Sequence, residues 1–206
     1  MFAPESILKK LNLNKMNTSR KKIIIDTIDK QETIKTISTK NDVELSLKNL
    51  LLSEIRSMYY IEKALLKTFP KMIKNACSFE LIEALTFHQD VAKLQITRLE
   101  EIFLHLNEKP ILERCKALEF IITELEEVID KTKFGTVRDA GIVLKLHKIA
   151  TFEVATYSLL TIFAENLHQN IIFDLLFKSL NEEKVIEMRL IKIANAIRFH
   201  SNETLI

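Results

Sequence analysis

The sequence predicts an all-α protein: an antiparallel bundle of four long helices, with one shorter helix between the second and third. Three observations carry this. The chain of 206 residues holds only Gly 2 and Pro 3, too few to turn the many corners of a sheet protein, so its connections must be few and its helices long. From Val43 onward, apolar residues recur three and four apart almost to the end of the chain, the spacing that lines one face of a helix. The composition, 47% hydrophobic and 28% charged, suits helices that are buried on one side and wet on the other.

The segment before Val43 lacks this period. Residues 1–42 contain nine Lys/Arg and five Asp/Glu, a net of +4, which leaves −2 for the remainder of a chain whose total is +2. Ile23, Ile24, Ile25, Ile28, Ile34 and Ile37 follow no sustained repeat. Residues 1–42 therefore read as a flexible basic N-terminal arm, residues 43–198 as the bundle and residues 199–206 as a tail. The arm is either a bare extension or a segment that meets an acidic surface or a second subunit.

Helix one is expected from about Val43 to Ala76, with Leu47, Leu51, Ile55, Met58, Glu62, Leu65 and Phe69 along its inner stripe. Pro70 predicts a kink or break, because proline removes a backbone donor and crowds the preceding turn. Ser78 fits an N-cap for helix two, with Glu80 near its positive start. Helix two runs to Leu106 on a stripe of Leu81, Leu85, His88, Ala92, Gln95, Leu99 and Ile102, and Asn107 to Pro110 ends it. A short helix three covers roughly Leu112 to Lys131, with Glu119, Glu124, Glu126 and Glu127 toward water. Gly135 marks a break. Thr136 with Asp139 then reads as a capping box opening helix four, whose stripe is Val143, Leu146, Ala150, Glu153, Tyr157, Leu160 and Ala164. After a turn at His168 to Asn170, helix five runs from Ile171 to about Arg198 on Phe173, Leu176, Leu180, Glu183, Glu187, Leu190 and Ala194.

Several functions are excluded or disfavoured. With two glycines there is no room for a phosphate-cradling loop or a dinucleotide fold, and no GxSxG is present. A net charge of +2 gives no general case for nucleic acid. No apolar run is long enough to span a membrane, and no signal sequence is evident, so a cytoplasmic protein without membrane attachment is expected. Cys77 and Cys115 form no metal or redox spacing and fit that reducing compartment.

What remains is the set of ionisable residues placed on apolar stripes: Glu62, His88, Glu153, Glu183 and Glu187. A buried carboxylate needs a cation, a hydrogen-bond donor or a proton. Tyr59, Tyr60, Tyr157 and Arg98 are available as ordinary interhelical partners. Alternatively, carboxylates and imidazole from neighbouring helices suit hard divalent iron or manganese, and two-metal bundle sites take a Glu from each of two helices and a Glu-x-x-His pair from each of the other two. The set here falls short. Leu85 and Val91 flank His88 at three residues, and Ala150 stands three before Glu153. The one literal Glu-x-x-His, Glu165 to His168, lies at the end of helix four and reads as a surface coincidence.

Several stretches carry a family resemblance: Met58-Tyr59-Tyr60-Ile61-Glu62-Lys63-Ala64-Leu65 with Phe69-Pro70-Lys71-Met72, His88 with Arg98-Leu99-Glu100, Glu108-Lys109-Pro110 with Cys115, Val137-Arg138-Asp139-Ala140, Phe152-Glu153-Val154-Ala155-Thr156-Tyr157, and Leu180-Asn181-Glu182-Glu183-Lys184. In this order they resemble the YciE/YciF-type family of bacterial ferritin-like proteins, from about Leu45 to Ala194. The resemblance implies a ferritin-like bundle, a homodimer, an association with stress responses and a carboxylate-rich site of di-iron type, to which Glu62, His88, Glu153 and Glu183 correspond by position. The chain departs where such proteins have Glu-His-Tyr-Glu on helix four, reading Ala150-Thr151-Phe152-Glu153. It departs again after His88, reading Val91-Ala92 in place of an acid and a Thr, and Glu187 stands where Asp is usual.

The resulting expectation is a ferritin-like scaffold or binding protein whose metal site is reduced and binds metal weakly or not at all, leaning away from an enzyme. The alternative is an oxidase, peroxidase or ferroxidase using two iron or manganese ions.

Overall fold

The computed structural model describes residues 40–197, and all that follows concerns these. The arm expected over residues 1–42 falls almost wholly outside them, as does the tail from 199. Residues up to Leu45 count with an N-terminal unit, and the bundle is a second unit that begins at Ser46. The described chain is all helix and connection: α1 Lys40–Asn75, α2 Phe79–His105, α3 Lys116–Lys131, α4 Thr136–Asn166 and α5 Asn170–Ala196. This is the predicted ferritin-like bundle, with α1, α2, α4 and α5 as its long members and α3 as the short addition.

The predicted stripes of α2 and α4 are buried along their whole length. So is that of α1 from Leu51 to Phe69, Glu62 included. The stripe of α5 is buried from Leu176 to Glu183 and at Leu190, but Glu187 is only half-buried and Ala194 is exposed. Ile172 and Ile186 take inner places instead. A 3.6-residue helix drifts against a fixed spacing of three and four, so a stripe followed over seven turns leaves the core at one end.

Three local expectations are corrected. Of the kink or break expected at Pro70, the break does not occur, and α1 continues to Asn75. Phe69 and Met72, both fully buried on either side of the exposed proline, hold the last turns on the core. α3 begins at Lys116 and not near Leu112, because the preceding segment is tied along α1: Glu113 N donates to Arg56 O at 3.3 Å, Ser53 Oγ donates to the Glu113 carboxylate, and Arg56 pairs with Glu108 at 3.1 Å. Thr136 is not the cap of α4. Gly135, at φ 140°, holds that place with no side-chain cap. Asp139 reaches away from its own helix and accepts from Cys77 N and Ser78 N, both at 2.7 Å. It thereby anchors the turn in which Ser78 Oγ caps Leu81 N.

The other connections are tight. α2 and α4 end alike, each with one residue in the left-handed region, Asn107 (φ 57°) and His168 (φ 55°). In both, the following amide closes back on the helix, Glu108 N to Phe103 O and Gln169 N to Ala164 O, each at 2.9 Å. α3 lies across α1 and α4 through Lys71–Asp130 (3.3 Å) and Lys145–Glu124 (2.8 Å). It packs against α4 at Gly141, where a Cβ would meet Val128 Cγ1 at 2.3 Å. None of the described helices is long and apolar enough to cross a membrane.

Candidate metal centre

Four of the five predicted residues come together inside the bundle, one from each long helix. Glu62 on α1, His88 on α2, Glu153 on α4 and Glu183 on α5 are all fully buried. His88 Nε2 lies 3.7 Å from Glu183 Oε1 and 4.0 Å from Glu153 Oε2. Phe69 packs its ring edge-on against the His88 imidazole, with centroids 4.9 Å apart. His88, Glu153 and Glu183 each offer a ligand atom within 4.8 Å of the others, an arrangement that can hold a metal ion. Glu62 stands outside this trio, and Tyr157 Oη donates to its Oε1 at 2.9 Å. Glu187 does not join the cluster. It accepts from Thr151 Oγ1 at 2.7 Å near the surface between α4 and α5. Glu165 and His168 are exposed, as expected of a coincidence.

Two partners complete the site. Gln95, about two turns beyond His88 on α2, donates from Nε2 to Glu183 Oε1 at 2.8 Å. Tyr157, one turn beyond Glu153 on α4, is the partner of Glu62. The other candidate partners are used elsewhere: Tyr59 donates to Glu100 at 2.6 Å, Tyr60 donates to Glu119, and Arg98 pairs with Glu182 while also donating to Ser179 at 3.0 Å. A Gln on an apolar stripe was the available signal for Gln95. It reads as a tolerated core polar residue until its partner on another helix is known.

The electrostatics follow from burial. Removal from water drives the Glu62 carboxyl well above its ordinary range, the nearby Glu183 charge adds to this, and the Tyr157 hydrogen bond opposes it. Burial does the same to Glu153, reinforced by Glu183 and Glu62. Glu183 is raised by burial to about 7, although the hydrogen bond from Gln95 favours its charged form. Burial lowers His88 to about 3, so its imidazole is neutral and a lone pair is free. Burial likewise raises the Tyr157 phenol well above its usual value, so it stays a donor.

The donor set fits a hard divalent cation. Among the described residues, nine buried side-chain nitrogen and oxygen atoms lack a hydrogen-bond partner, and seven of them belong to this cluster: Glu62 Oε2, both His88 nitrogens, Gln95 Oε1, both Glu153 oxygens and Glu183 Oε2. Polar atoms at this depth are normally satisfied. Carboxylate oxygens with one neutral imidazole match the preference of iron(II) and manganese(II). The fully buried Ala150 and the buried Val91 supply no ligand atom.

The chain is similar to known proteins over most of its length. The E. coli (strain K12) protein YciF is 28% identical over 150 residues, 72% of this chain and 90% of that protein. The crystal structure of that E. coli stress protein superposes with a TM-score of 0.69, covering 72% of this chain and 94% of that one. YcfI from Rhodopseudomonas palustris is 34% identical, with a TM-score of 0.69, over 74% of this chain and 95% of that one. Residues 46–200 match the family described as "Domain of unknown function (DUF892)". The chain belongs to this DUF892 family and is a homologue of the E. coli stress protein YciF.

Proposed function

We propose that this protein is a ferritin-like metal-binding protein with a reduced centre: one hard divalent cation, iron(II) or manganese(II), held by His88, Glu153 and Glu183 inside a bundle that otherwise serves as a scaffold. The observation that carries this is the concentration of seven partnerless polar atoms at one point of an apolar core. Several carboxylates buried together without a cation must each take up a proton, whereas an ion satisfies them at once. Glu62 would add a fourth ligand through its unpaired Oε2, with the Tyr157 phenol still donating to Oε1 as an outer partner. A bound iron would supply one-electron chemistry, and the chain's part is to hold the ion, orient its ligands and keep bulk water away. The relative's description as a stress protein extends this to a role in metal or oxidant stress.

The test is metal content. Full-length protein loaded anaerobically with iron(II) or manganese(II) and then desalted is expected to retain about one ion per chain, and Glu153→Ala to retain none. About two ions per chain would favour the two-metal oxidase reading. No ion above background would leave a metal-free scaffold. From the resemblance and the two free thiols, the same reading takes the working form to be a cytoplasmic homodimer. Sedimentation at twice the chain mass is the expected result, and a monomer at micromolar concentration would refute it.

A further inference from the structure

Tyr157 is an oxidisable ring set into the buried cluster. It is fully buried on α4, and its Oη donates to Glu62 Oε1 at 2.9 Å. Glu153, a member of the trio, stands four residues before it, and side chains so spaced on a helix have Cβ atoms about 5–6 Å apart. The chain has no tryptophan and three tyrosines. The other two are engaged elsewhere, Tyr59 with Glu100 and Tyr60 with Glu119. Tyr157 is thus the tyrosine bonded to the cluster. Its hydrogen bond also meets the main requirement on a buried electron donor. A phenol that loses an electron and keeps its proton becomes a cation, which is costly in an apolar core. The proton must leave with the electron, and at Tyr157 it already points at a carboxylate oxygen. The second oxygen of that carboxylate, Glu62 Oε2, has no partner, so one oxygen can face the proton while the other serves an ion.

We propose that Tyr157 is the electron donor that completes the reduction of hydrogen peroxide at this site, adding one electron to the one available from a single iron(II). This rests on the one-ion reading above. The cluster is fully buried, so the oxidant must be as small as hydrogen peroxide. Splitting its O–O bond down to the level of water takes two electrons, and iron(II) passing to iron(III) furnishes one. With that electron alone, the peroxide divides into hydroxide and a hydroxyl radical, which attacks the side chains around it. With a second electron from Tyr157, no hydroxyl radical forms. The phenol O–H bond breaks, its proton leaves by way of Glu62 to one of the two hydroxides, and the ring is left as a neutral phenoxyl radical. Iron(II), phenol and hydrogen peroxide thus become iron(III), phenoxyl, one water and one hydroxide, with atoms and charge in balance. Tyr157 in this role confines the oxidising equivalent to one ring, which protects the core around it.

The experiment loads full-length protein anaerobically with iron(II), desalts it, records its iron content, mixes it with an equimolar amount of hydrogen peroxide and freezes it for electron paramagnetic resonance. Wild type is expected to show a phenoxyl signal that narrows when its tyrosines are ring-deuterated. Tyr157→Phe should keep its iron and lose the signal. Peptide mass spectrometry of that variant should then find hydroxylated core side chains, including Phe69, whose ring packs against His88. The Tyr59→Phe, Tyr60→Phe double variant leaves Tyr157 as the sole tyrosine and should keep the signal, a test that stands even if Tyr157→Phe fails to fold. An undiminished signal in Tyr157→Phe would overturn the assignment, as would its loss in the double variant. So would iron-loaded wild type that consumes peroxide with no phenoxyl, for instance by forming the sulfoxide of Met58, fully buried one turn before Glu62. Wild-type protein that retains no iron would bring down the metal-binding reading and this role with it, and the iron content recorded before peroxide keeps the two failures apart.

Discussion

Glu62 is tied to the protein by one hydrogen bond, from Tyr157, and its other oxygen has none. Tyr157→Phe would leave both oxygens unpaired in the core, at a cost of about 1–3 kcal/mol in the metal-free protein. Urea unfolding at neutral pH checks this, and a loss below about 0.5 kcal/mol would mean that Glu62 finds another donor. The same cluster fixes how stability depends on pH. Glu62, Glu153 and Glu183 have folded-state pKa values above the unfolded value of 4.5. They contribute stability that is fully present below pH 4.5 and is lost as pH rises, for Glu183 through about 7. His88, lowered from 6.5 to about 3, acts in the opposite sense. The folded chain resists its proton, so its contribution is full above pH 6.5 and is lost as pH falls through 3. With three carboxyls against one imidazole, the site's own contribution in the metal-free protein peaks near pH 4.5 and declines above it. Urea midpoints measured from pH 4 to 8 should show that decline, and a Glu62→Gln, Glu153→Gln double variant should show much less of it. An equal decline in the double variant would place its origin outside the site.

At the scale of the helices, the contacts that set the register are the polar ones that reach across. Asp139 is 4% exposed, and its carboxylate accepts from two amides of the α1–α2 turn. Asp139→Ala would strand both donors and loosen the start of α2, for a loss of about 2–3 kcal/mol. Thermal or urea unfolding measures it, and a change within error would show that water replaces the carboxylate. At Gly141, α4 packs directly against Val128 of α3. Gly141→Ala would drive a methyl group into Val128 and cost about 1–3 kcal/mol, and adding Val128→Ala should recover part of that loss by making room. If the double variant is no more stable than Gly141→Ala alone, the clash is not the cause. These two residues also show where the sequence stops being legible. Periodicity located every helix and the inner faces of α2 and α4, because burying an apolar stripe is a local requirement that each helix states for itself. Thr136 and Asp139 matched a local capping pattern equally well, but Asp139 serves a turn 61 residues away. Nothing in the spacing of one helix encodes a partner on another.

For the whole molecule the same division holds. One inward polar residue on each long helix was visible as an interruption of its stripe, and the bundle carried Glu62, His88, Glu153 and Glu183 to one place because their stripes face one core. Glu187 failed to follow, because it lies at the edge of its stripe, where a rotation of tens of degrees decides between core and surface. The partners Gln95 and Tyr157 needed three-dimensional packing to be chosen from several polar candidates. Convergence has a consequence for the fold as a unit. The four residues lie on four helices, so an ion bound to them ties together elements that are far apart in the chain, and in the unfolded state they form no site. Binding to the folded chain alone stabilises it by RT ln(1 + [M]/Kd), about 2.7 kcal/mol at a hundred times Kd. The unfolding temperature of wild-type protein should therefore climb in proportion to the logarithm of Mn2+ concentration once Kd is passed. The rise should be larger at pH 8 than at pH 5, where the ion must displace more protons from the buried carboxyls. Glu153→Ala, which removes one of the trio, should show no such climb. A wild-type midpoint that stays flat from micromolar to millimolar Mn2+ would mean that the cluster is held by protons alone, and that the four helices meet around a neutral polar core.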